Sequence, residues 1–191
     1  MINKIALIVK ILLYSPLLPF MLQAYNKNKE VIDADLLRIR PKGGGVSLII
    51  SILNVKNFRN LFYFRIGKQG DFFNYFLPEQ DNLHFFNDAK IGKGLLVVHG
   101  DSTFINPESM GEYCYINQNV TIGVVGDKRP RIGNNVRIAT GAIVLGDIVI
   151  GDNVTIAAGA VVVKNVPNNA MVAGNPAVIK KLNGKKVDIK L

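Results

Sequence analysis

The sequence predicts a mainly β chain: a triangular coil of short parallel strands, preceded by a small helical region. Three observations carry this. From Ile132 the chain divides into IGNNVR, IATGAI, VLGDIV, IGDNVT, IAAGAV and VVKNVP, each block opening on Ile or Val. Ile116 and Ile122 keep the same step, as do Ile91 and Val97. Helices repeat their apolar residues every three to four positions and half-buried strands every two, so a period of six calls for flat strands with one inward aliphatic each. The opening residues are β-branched, which suits a pleated inner surface. Finally, Gly133-Asn134-Asn135 and Gly151-Asp152-Asn153 fall between beats, where a corner needs residues that tolerate positive φ.

The front quarter is read in pieces. Residues 5–22 (IALIVKILLYSPLLPFML) are strongly apolar. Spanning a bilayer takes about 20 apolar residues, and Lys10, Pro16 and Pro19 interrupt this run. The expectation is a helix over 2–14 followed by a Pro-punctuated segment. These pieces offer either a surface for packing on a neighbouring subunit or one resting on the inner face of a membrane. EVIDADLLRIRP reads as a short helix ended by Pro41, Lys42-Gly43-Gly44-Gly45 as a break, and 46–77 as two further helices, the second being NFRNLFYFRIGK. Coiling begins near Leu83 and has room for about four to five turns of 18 residues to position 167. The expected domains are 1–80 helical, 81–182 coil, and 183–191 a basic tail.

Two features break the beat. His99-Gly100-Asp101-Ser102 shifts the phase after Val97, and Val124–Pro130 adds four residues between Ile122 and Ile132. Insertions in a solenoid leave as loops, and loops carry function.

The formal net charge of +9 points to an anionic partner, with Lys27 and Lys29 near the front and Lys180, Lys181, Lys185, Lys186 and Lys190 at the end. No aromatic-interleaved basic motif or zinc signature accompanies it, so nucleic acid is not expected. A phosphate-bearing small molecule, a membrane surface and plain solubility stay open. The single Cys114 forms no internal disulfide, which suits a reducing, cytoplasmic compartment, and it reads as a buried spectator.

NFRNLFYFRIGK, AKIGKGLLVVHGDSTFI, INQNVTIG, GDKRPRIG, the hexads to 167 and AGNPAVI together resemble the left-handed β-helix (hexapeptide-repeat) acyltransferases. The likeness is to the serine O-acetyltransferase branch and its relatives in capsule and exopolysaccharide synthesis, and it covers residues 57–182. It implies a left-handed parallel β-helix, acetyl-CoA as co-substrate without a metal, and a homotrimer with acetyl-CoA between two coils. Pairing of trimers into hexamers is left open.

Acetyl transfer to a hydroxyl requires that the hydroxyl lose its proton as it attacks, and imidazole suits that task. By the resemblance, His99 stands at the general base. His84 stands where the serine enzymes place an Asp that orients the base; Asp88 or Asp101 are the alternatives. Val98 replaces a second Asp, and Arg129 replaces a second His that helps hold the acceptor. Losing two acids and gaining a guanidinium disfavours an ammonium and favours a neutral or anionic acceptor. The expected function is therefore acetyl-CoA-dependent O-acetylation of a sugar in polysaccharide biosynthesis, with Arg129 and Asp101 at the acceptor. The alternative is a serine O-acetyltransferase of cysteine biosynthesis. For the donor, the resemblance assigns Ala139, Thr140, Ala157 and Ala158 to the pantetheine arm, Lys164 and Lys180 to the phosphates, and Asn175 and Pro176 to a closing turn beside the nucleotide. Gly100 and Gly141 are candidate oxyanion donors. A non-catalytic trimeric scaffold is a further alternative. A γ-class carbonic anhydrase would need three His ligands, and the chain has two.

Overall fold

The computed structural model describes residues 4–191. The chain divides into two compact units, residues 1–81 and 82–191.

The first unit is helical: α1 (Lys4–Tyr14), α2 (Leu18–Lys27), α3 (Lys29–Leu37), α4 (Gly45–Asn54), α5 (Lys56–Ile66) and α6 (Lys68–Phe76). The start of the helix expected over 2–14 lies partly outside the described residues. The segment expected to be Pro-punctuated is instead α2, because Pro19 sits in its first turn, where a missing N–H costs nothing. The stretch 46–77 holds three helices rather than two. Gly67 adopts a φ of 63°, ending α5 and starting α6. The two then pack closely, since a Cβ on Gly70 would lie 2.7 Å from the Tyr63 carbonyl oxygen. Met21, Ile32, Leu36, Leu48, Ile52 and Phe62 form the core. Inside it, Asp35 pairs with Arg65 through Nε–Oδ2 at 2.8 Å and Nη2–Oδ1 at 3.2 Å. The buried Arg59 guanidinium donates to the carbonyls of Ile52, at 2.7 Å, and Pro78. Burial depresses its pKa and raises that of Glu79.

The second unit is a parallel β-solenoid. Three faces are built from strands that recur once per turn. The first face stacks β1 (Leu83–Phe85), β4 (Thr103–Ile105), β7 (Thr121–Gly123), β10 (Ile143–Leu145) and β13 (Val161–Val162). The second stacks β2 (Lys90–Ile91), β5 (Ser109–Met110), β8 (Arg131–Ile132) and β11 (Val149–Ile150). The third stacks β3 (Leu96–Val97), β6 (Tyr115–Ile116), β9 (Arg137–Ile138), β12 (Thr155–Ile156) and β14 (Ala170–Ala173). The beat is the inner column of each face: Ile105, Ile122, Val144 and Val162 on the first, and Ile116, Ile138, Ile156 and Val172 on the third, all 0% exposed. Cys114 is buried in the same interior, as expected.

The beat fails at one further place. Ile150 bridges Val166, a step of 16 rather than 18, because Val163-Lys164-Asn165 cuts the corner after β13 short. The coil therefore continues past 167, and β14 completes it. Corners between the second and third faces carry Asn135, Asn153 and Asn169 at φ of 54–58°, as the Gly-Asn and Gly-Asp signals require.

The expected basic tail at 183–191 is not a tail. β15 (Val178–Leu182) runs antiparallel to β14, and β16 (Lys185–Lys190) pairs with β15. Asn183 and Gly184 both have positive φ, 48° and 79°, forming a two-residue hairpin turn. An Asn-Gly pair between strands is a strong hairpin signal, masked here by the lysines around it.

Candidate functional site

The edge where the third face turns into the first collects much of the expected chemistry. Its successive rungs are His99–Ser102, Asn117–Asn119, Ala139–Gly141, Ala157–Gly159 and Ala173-Gly174. The backbone stitches them together: Asn119 N–H donates to Asp101 O at 2.7 Å, Gly141 N–H to Gln118 O at 3.2 Å, Gly159 N–H to Thr140 O at 2.9 Å, and Val161 N–H to Gly174 O at 3.0 Å. Each rung turns through a positive φ, at His99, Asn119, Gly141, Gly159 and Gly174. Parallel strands stack about 4.8 Å apart, so three steps carry the edge about 14 Å from His99 to Ala157. His99 and the four small residues expected to border the donor thus form one column.

His99 is solvent-exposed and holds a φ of 65°. Histidine is among the few side chains that enter the left-handed region with tolerable cost. The Gly100 N–H closes the turn on Val98 O at 2.8 Å. Both candidate oxyanion donors are therefore engaged within the chain: Gly100 with Val98 and Gly141 with Gln118.

His84 departs from its expected orienting role. It sits in β1, faces outward from the first face, and stacks on Phe104 with ring centroids 4.7 Å apart. Among the described residues, no hydrogen bond joins it to His99. Asp88 lies away from His99 of the same chain, with its carboxylate 2.7 Å from Arg129 Nη1, which also donates to Asn106 Oδ1 at 3.1 Å. These three residues lie at the corner between the first and second faces, at the far side of β4 from His99. Within one chain, Arg129 and His99 thus sit on opposite edges of the first face. Asp101 shares the His99 turn, is exposed, and accepts through its main-chain oxygen from Asn119 and Thr103.

At the C-terminal end of the coil, Val161, Lys164, Pro176, Val178, Lys190 and Leu191 border a cleft of about 280 Å³. Lys164 Nζ donates to Leu191 O at 2.7 Å. Lys164 and Pro176 are therefore brought together as expected. Lys180 is not; the strand alternation of β15 turns it to Asp188, at 2.8 Å, and Lys190 lines the cleft in its place. Asn175 is exposed beside Pro176.

Sequence reasoning passed over Gln118. It lies between the His99 and Thr140 rungs, and its buried Oε1 accepts no hydrogen bond among the described residues. A buried acceptor of this kind is unusual in a folded chain and suits an amide N–H from a bound molecule. Its signal was its place, two residues after the inward Ile116.

The family description "Bacterial transferase hexapeptide (six repeats)" matches residues 129–164. A serine acetyltransferase of Staphylococcus aureus is 44% identical over 104 residues, covering 52% of this chain and 49% of that protein. The chain spans about half the length of the curated relatives it matches. The structure of serine acetyltransferase from Brucella abortus matches with a TM-score of 0.68 and 31% identity, over 88% of this chain and 73% of that one. A serine acetyltransferase in complex with CoA matches with a TM-score of 0.67 and 27% identity, over 82% of this chain and 72% of that one.

Proposed function

From the premise that the chain belongs to the hexapeptide-repeat acyltransferase family, we propose that it is an acetyl-CoA-dependent O-acetyltransferase with serine as acceptor. The observation that carries the reading is the shared edge: the exposed His99 heads a column of Thr140, Ala139, Ala157 and Ala158, and a lysine-bordered cleft lies at the end of the same coil. In this reading the small side chains let the pantetheine arm approach, Gln118 Oε1 accepts from one of its amides, and Lys164 and Lys190 meet the phosphates.

The acceptor oxygen attacks the thioester carbonyl while His99 takes the hydroxyl proton. The carbonyl π bond opens to a tetrahedral oxyanion. Its collapse re-forms the carbonyl, breaks the C–S bond, and releases CoA as the thiol once the sulfur takes up a proton. Asp101, exposed on the His99 turn, offers a carboxylate to the ammonium of serine. Copies associate as a trimer in this reading, as the resemblance implies.

A second reading keeps a sugar hydroxyl as the acceptor. The aromatic face made by His84 on Phe104 favours it, because a sugar ring packs well on such a face. The comparisons favour serine. The experiment is to follow thiol release from acetyl-CoA by the purified chain with L-serine and, separately, with a panel of sugars and glycans. Serine-dependent release with O-acetylserine as product is the expected result. Faster release with a sugar would replace serine with the second reading, and no acceptor-dependent release at all would overturn both.

A further inference from the structure

Helix α1 is built inside out. Its inward side is Leu7, Ile11 and Tyr14, which pack on the helical core. The helix's second lysine, Lys10, also turns inward and donates to Leu53 O and Asn54 Oδ1, both at 3.1 Å. Beyond the exposed Lys4 at its start, the outward side is aliphatic: Ile5, Ile8, Val9, Leu12 and Leu13 are 57–74% exposed, and Phe20 of α2 is 60% exposed. A helix facing water puts apolar residues in and charges out. Here the mid-helix charge is hidden and the larger apolar side is presented.

We propose that this face docks on an anionic lipid surface, lying in the headgroup region and not crossing it. Among the described residues no single helix is long and apolar enough to cross a membrane, and α1 and α2 are bent 87° to each other. Charge complementarity selects the lipid. Lys4 and Lys27, at the start of α1 and the end of α2, are exposed, while Lys10 is turned inward and Lys29 pairs with Asp33. An aliphatic face between basic ends matches an acyl boundary beneath anionic headgroups. Tucking Lys10 onto Leu53 and Asn54 removes the one mid-helix charge that immersion would have to desolvate.

The test does not depend on the acetyl transfer. Full-length protein is sedimented with vesicles of neutral phosphatidylcholine, or of phosphatidylcholine with phosphatidylglycerol, and its size without lipid is measured by analytical ultracentrifugation. The protein is expected to pellet with the anionic vesicles more than with the neutral ones. The double substitution Ile8→Glu, Leu12→Glu should reduce the bound fraction at least about tenfold, with the thermal unfolding midpoint retained. A protein that stays in the supernatant with both vesicles overturns the proposal. So does undiminished pelleting of the double variant, or a loss confined to self-association measured without lipid. If the double variant unfolds, Leu13→Gln alone, read at the same vesicle concentration, must still lower the bound fraction; unchanged binding overturns the proposal.

Discussion

Replacing His99 with Asn is expected to slow acetyl-CoA turnover about 10²- to 10⁴-fold, the range a positioned general base contributes. Asn is the substitution of choice because position 99 has a φ of 65°, a conformation Asn adopts with little strain and Ala does not. The fold and the donor edge should survive, so the unfolding midpoint and the KM for acetyl-CoA are expected to stay near wild type while kcat falls. That split separates lost proton transfer from lost donor binding. A variant keeping full kcat would remove His99 from the mechanism. Among the described residues no hydrogen bond joins the His84 ring, stacked on Phe104, to His99, so His84 does not position the base within one chain.

The second large effect lies in the helical unit. Asp35→Ala is expected to lower stability by about 3–5 kcal/mol, because it leaves a buried guanidinium without its carboxylate. The side chains of Asp35 and Arg65 are 1% and 7% exposed and are joined by two hydrogen bonds. Solvent offers Arg65 no ready substitute. Urea unfolding should show the midpoint falling with the slope unchanged. Removing both charges, as Asp35→Leu with Arg65→Met, should recover much of the loss, since no orphaned charge then remains. An Asp35→Ala protein within about 1 kcal/mol of wild type would place the pair among those that contribute little.

The parts of this molecule that were legible in its sequence are those where a single residue type does one job. Inward Ile and Val report the solenoid directly because most strands bury one of them, and Ile116, Ile138 and Ile156 are all 0% exposed. Corners were legible where Asn and Gly meet a positive φ. The parts that were hidden depend on how rungs align or on which neighbour a charge prefers. The shortened step from Ile150 to Val166 follows from a corner with fewer residues, which no repeat reveals. The α5–α6 break rests on Gly67 alone. The 183–191 hairpin was concealed by lysines whose charge suggested solvation, although Asn183-Gly184 determined the turn.

The same division holds at the site. Thr140 and Ala158 were legible as stacked rungs because they lie 18 residues apart, whereas the place of His99 above them depends on steps of 19 and 22 that the phase break and the loop insertion create. The pairing of Lys180 with Asp188 was hidden because alternation along β15 decides it, and the place of Lys190 at the cleft was hidden because it depends on the return of β16. Arg129 was read as an acceptor group from the resemblance, at the place of a second His. Its engagement with Asp88 and Asn106, at another corner, follows from the way the rungs of three turns align.

In the proposed reading the acetyl donor lies along the edge running from His99 through Thr140 and Ala158, with its phosphate end at the cleft that Lys164 and Lys190 border. Amide hydrogen exchange of the protein with and without saturating CoA tests it most directly. The account predicts slowed exchange confined to 117–119, 139–141, 157–159 and 173–177, with the second face unchanged. Protection centred on the second-face strands, or none anywhere at saturation, would contradict it.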